Sequence, residues 1–148
     1  MKLSKILYLF LVFLACACAK DQTTDPSVTK SDAIKSATAG WTIDGFTTVD
    51  NTPIDPALFS GDAKFINQLI YVFDNTGVVR SYDKISKQAQ AYGTWGLIES
   101  DTKLDINIQG VKGTFGVIEL SKQKMILRNN VKYNNVDIPI NMVFSPLK

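Results

Sequence analysis

Few side chains in this sequence are equipped for chemistry near neutral pH. Histidine, the commonest proton shuttle and metal ligand, is absent from all 148 residues. The two thiols, Cys16 and Cys18, both end an N-terminal apolar run, so the rest of the chain has no cysteine for a disulfide, a zinc site or a nucleophile. Glu99 and Glu119 are the only glutamates. A glycoside hydrolase would pair one of them with an aspartate, but solvated outward positions on strands account for both. Asp74-Asn75-Thr76-Gly77 is oxygen-rich like a calcium loop, yet it lacks the repeated acidic ligands and the terminal glutamate, and it reads as a turn. No catalytic residue, metal or cofactor is expected, and the protein reads as a non-enzyme.

Charge narrows the partners. The chain has 16 basic and 14 acidic residues. Two of the lysines, Lys2 and Lys5, lie in a segment that reads as removable, leaving 16 − 2 = 14 of each sign. The lysines are scattered singly, with only Arg80 and Arg128 beside them, so a nucleic-acid partner is not expected.

Residues 1–17 follow the grammar of a secretory signal: a basic start, the apolar stretch Ile6 to Leu14, then small residues. The stretch is shorter than the roughly 20 residues of a spanning helix. Phe13 to Cys18 resembles the bacterial lipobox, in which cleavage falls before a cysteine carrying diacylglycerol. Cys18, preceded by Ala17, fits better than Cys16, preceded by Leu14-Ala15. Cys18-Ala19-Lys20-Asp21 resembles the start of lipoproteins of the Bacteroidetes group. The resemblance implies lipidation at Cys18, palmitate incorporation and an outer-membrane lipoprotein on the periplasmic or outer face of the cell envelope. Simple cleavage after Ala17 or Ala19, releasing a secreted protein, is the alternative. Residues 18–38 then form the lipidated cysteine and a polar tether, with a short helical turn capped by Ser31.

Residues 39–148 are the folded domain. Their apolar period is two: Leu104, Ile106 and Ile108 alternate with Lys103, Asp105 and Asn107. A two-residue turn at Asn134-Asn135 sets Val131 against Ile138, Leu127 against Met142 and Met125 against Phe144. A turn at Lys122-Gln123 sets Leu120 against Met125 and Ile118 against Leu127. Eight strands follow, at about 40–49, 67–74, 77–83, 90–99, 102–109, 113–121, 123–133 and 136–145. A longer loop at 50–66, with a helical turn from Pro56, is either a lid or packed surface. Eight antiparallel strands close into an up-and-down barrel, with a β-sandwich as the alternative all-β architecture.

Gly40-Trp41, Phe73 to Gly77, Gly93-Thr94-Trp95 with Leu97, Leu104-Asp105-Ile106, Ile118-Glu119-Leu120 and Met125-Ile126-Leu127 together resemble the lipocalin-like domain of small bacterial lipoproteins, over about residues 39–146. That resemblance implies an eight-stranded meander barrel outside the cytoplasm and transfers no catalytic residue. Trp41, Leu58, Phe59, Tyr71, Phe73 and Trp95 are candidates to line a ligand pocket, or else they fill the interior. The expected function is non-enzymatic binding of a small apolar ligand, or of a protein or glycan of the envelope. The alternative is an accessory subunit of an outer-membrane assembly, built on a solid barrel.

Overall fold

The computed structural model describes residues 28–133 and 136–148. Cys16, Cys18, the signal segment and the Asn134-Asn135 turn lie outside the described residues. Nine strands run in chain order: β1 (Trp41–Thr48), β2 (Pro53–Ile54), β3 (Leu69–Phe73), β4 (Val78–Asp83), β5 (Ala89–Ile98), β6 (Lys103–Ile108), β7 (Val111–Leu120), β8 (Met125–Tyr133) and β9 (Val136–Pro146). All pairings are antiparallel in the order β2-β1-β3-β4-β5-β6-β7-β8-β9, and β1 also pairs with β9 from Trp41↔Pro146 to Thr48↔Ile140. Eight strands therefore close into a barrel, and the two-residue β2 is an added flap on β1. Closure excludes the sandwich and leaves the main sheet no free flanking strand.

Apolar pairing down β8 and β9 holds as the spacing predicts, with Met125↔Phe144, Leu127↔Met142 and Val131↔Ile138. One expected pair fails. Leu127 faces Val117, and a β-bulge places Ile118 outside the ladder, where it is half-exposed. The bulge changes the parity of β7, so that Val117 and Leu120, three positions apart, both pack on the core. A similar bulge at Asp44 lets Ile43 and Phe46 both point inward from β1. Such bulges supply the curvature that a closed sheet needs. Gly93 serves the same end, because a Cβ there would lie 2.0 Å from the Asn107 carbonyl oxygen.

The lower end of the barrel is plugged by helix α1 (Lys30–Lys35). Thr29, not Ser31, caps it: the Thr29 hydroxyl accepts from the Asp32 amide at 3.1 Å. Ile34 is fully buried, so the folded unit begins before residue 39. The Trp41 indole, also fully buried, donates to the Ile34 carbonyl at 2.7 Å and ties plug to barrel. Gly40 makes that approach feasible: its φ is +101°, and a Cβ would lie 2.5 Å from Ile70 Cγ2.

Candidate ligand site at the lid end of the barrel

The loop between β1 and β3 closes the upper end. Pro56–Leu58 and Gly61–Gln68 form 3-10 turns, the second longer than the single helical turn expected. Phe59 and Ile66 are buried beneath them, so this segment is packed down on the barrel end and covers it as a lid. Phe59 stacks edge-on against Phe46, with ring centroids 4.8 Å apart, and against Tyr133 at 6.1 Å. From inside the barrel the Tyr71 hydroxyl donates to the Ile66 carbonyl at 3.1 Å, latching the lid to β3. Burial pushes the Tyr71 phenol well above its ordinary pKa, so it stays a donor across the physiological range.

The six aromatic and aliphatic candidates have different fates. Trp41, Phe59, Tyr71 and Phe73 are core, packed with Leu104, Ile106, Leu127, Ile140, Met142 and Phe144. Trp95 is half-buried, edge-on to Phe73 at 5.5 Å, and its indole donates to the Asp74 carbonyl at 3.1 Å. Leu58 is exposed on the outside of the lid. The six do not gather around one space. Trp41 belongs to the lower plug, Phe59 and Tyr71 to the lid, and Phe73 with Trp95 to the wall beside the Asp74 turn.

The carboxylates also take plain roles. Glu99 is exposed and paired with Lys103 at 2.8 Å, and Glu119 with Lys124 at 3.1 Å. The Asp74 carboxylate accepts from the Thr76 hydroxyl at 2.7 Å and from the Thr76 and Val78 amides, and it meets Arg80 at 3.2 Å. Those bonds, the Thr76 hydroxyl foremost, hold its pKa below the ordinary value. It organises the β3–β4 turn. Among the described residues no group of three or more acidic or thiol side chains is placed to hold a metal.

A recess partly open to solvent does remain at the upper end, where the lid meets β4, β5 and the β6–β7 turn. It is a cavity of about 180 Å³. Phe65, Ile66, Leu69 and Ala91 give it apolar walls, Ser81 lies among its lining, and exposed Gln90 and Gln109 border it. The cavity has a structural cause. Across β3, β4 and β5 the inward row reads Tyr71, Ser81, Ala91, one large side chain followed by two small ones. Beside them Gln90 is the extra residue of a β-bulge and borders the space from an exposed position. A larger groove, about 720 Å³ and open to solvent, runs along the outside between Tyr92 and Lys112. It is more open than the recess at the lid end and its lining is more polar, which suits a small apolar molecule less well.

The chain matches no family model and no curated protein sequence. The site therefore stands on its geometry. None of the six candidates lines this space, and sequence reasoning missed Ile66, Leu69, Ser81, Gln90, Ala91 and Gln109 as site residues. A signal for Ser81 was available: in Val79-Arg80-Ser81 the period of two turns the serine inward beside Val79, and a polar residue on the dry face of a strand marks an exception.

Proposed function

We propose that this protein is a lipid-tethered, lipocalin-like binding module of the bacterial cell envelope, anchored through Cys18, that holds a small and largely apolar ligand under its lid without catalysing a reaction. The observation that carries the reading is the cavity between Ile66, Leu69 and Ala91 in a barrel otherwise filled by its own side chains. Small-molecule sites are concave, mostly apolar and few per protein, with a small number of polar groups to fix orientation. The lipobox-like Phe13 to Cys18 supports the tether, since an acyl chain contributes about 0.8 kcal/mol per buried methylene and several chains hold durably.

Binding is tested by titrating the isotope-labelled protein with envelope lipids, glycans and pigments while following its amide resonances. We expect saturable shifts confined to Ile66, Leu69, Ser81, Ala91 and Gln109. Shifts absent from this end for every compound would overturn ligand carriage. Growth on labelled palmitate tests the tether: label should enter the protein and be lost in Cys18→Ala.

A second reading, an accessory subunit of an outer-membrane assembly, draws on the outer face of β5. There exposed Tyr92 lies under the Arg80 guanidinium, 5.9 Å from its ring centroid. Tyrosine and arginine are the residue types most enriched in binding hot spots. One dominant neighbour after gentle crosslinking, lost in Tyr92→Ala, is the outcome this reading expects.

A further inference from the structure

We propose that Ser81 Oγ is the polar anchor of the lid-end cavity, and that its ligand is a compact neutral molecule with one hydroxyl or carbonyl group on a single-ring apolar body. This deepens the ligand-carriage reading and rests on it. Ser81 is fully buried, and among the described residues its hydroxyl and the Asn67 side-chain oxygen are the buried side-chain polar atoms without a hydrogen-bond partner. A buried hydroxyl left unpaired costs free energy that an apolar residue of the same size would avoid, so such groups are rare outside functional sites. Of the two, only Ser81 belongs to the cavity lining.

The rest of the lining defines the ligand. Ile66, Leu69 and Ala91 favour an apolar body, and the described lining residues include no charged side chain to offset the desolvation of an ion. The ligand is therefore neutral. A serine hydroxyl both donates and accepts, which admits an alcohol, a phenol or a carbonyl. The volume, about 180 Å³, slightly exceeds the roughly 150 Å³ of an engineered apolar cavity that takes up benzene, so one ring with a substituent fits within it.

The test compares p-cresol with toluene, which has the same ring and methyl group but no hydroxyl. The protein is expressed from its full-length sequence with Cys16→Ala and Cys18→Ala, so that no acyl chain or micelle competes for the probes. Followed by amide resonances, p-cresol should bind saturably at Ile66, Leu69, Ser81 and Ala91, and toluene about tenfold more weakly. In Ser81→Ala the preference should vanish while the fold keeps or gains thermal stability, since an unpaired hydroxyl is being removed. Ala91→Leu, which fills the space, should abolish binding of both probes. Equal binding of p-cresol and toluene to the unaltered site would overturn the role of Ser81 and leave ligand carriage standing. If neither probe reaches the lid end, or if Ser81 holds a water that p-cresol does not displace, the single-ring ligand is refuted, while the lipid, glycan and pigment titration separately decides carriage.

Discussion

Tyr71 does two jobs that its neighbours on β3 cannot share. Its ring is core, edge-on to Phe144 with centroids 6.2 Å apart, and its hydroxyl carries the buried hydrogen bond to the Ile66 carbonyl of the lid. Phenylalanine would keep the first role and lose the second. Removing the donor leaves a buried carbonyl unpaired, at a cost of about 1–3 kcal/mol. That loss falls on one local opening and not on the whole barrel, because the strands keep their own ladders. In Tyr71→Phe we therefore expect amide hydrogen exchange to speed up in the lid, residues 61–68, and to stay nearly unchanged in β8 and β9. Uniformly faster exchange across both regions would show that the lid has no independent opening and that the hydroxyl is merely part of the global core.

Among the elements, β7 and β8 show what alternation can and cannot specify. Leu127 and Met142 were legible because period two, once a turn position is chosen, fixes every partner in an unbroken ladder. Ile118 was not, because a bulge adds one residue locally and leaves no trace in hydrophobicity: Val117 and Ile118 are equally apolar, and only barrel curvature decides which turns inward. The site follows the same division. Residues that fill the interior were visible as aromatics on strands, whereas the cavity arises from two small side chains in register on β4 and β5, beside the large Tyr71 of β3, together with the bulge at Gln90. A cavity is a property of neighbours, and no single position announces it. The difference between the two isoleucine-sized positions is measurable. Leu127→Ala should cost about 2–5 kcal/mol as a core truncation, whereas Ile118→Ala, on a half-exposed bulge, should cost under about 1 kcal/mol. Comparable losses in urea unfolding would place Ile118 inside after all.

At the scale of the whole molecule, the absence of histidine gives stability a distinctive dependence on pH. On the acid side, Asp32, Asp74 and Asp83 have pKa values held below their ordinary 3.8, chiefly by the Thr29 hydroxyl, the Thr76 hydroxyl and the Ser86 amide respectively. A lowered carboxylate contributes stability that is present above its unfolded pKa and lost as the pH falls through the folded value. On the alkaline side, burial raises Tyr71, so its contribution is present below the unfolded pKa near 10 and lost as the pH climbs beyond it. Lys84 acts in the opposite sense. Its pKa is lowered, first by desolvation, so its charged form burdens the folded state, and the burden lifts as the ammonium deprotonates. Tyr71, the more deeply buried of the two, should dominate. With no histidine to titrate near neutrality, the melting temperature should fall below about pH 4 and above about pH 10 and stay nearly level around pH 7. Tyr71→Phe should lower the plateau and flatten the alkaline fall, and Asp74→Asn should soften the acid fall alone. A step in stability between pH 6 and 8 would mean that a group outside the barrel is coupled to its folding.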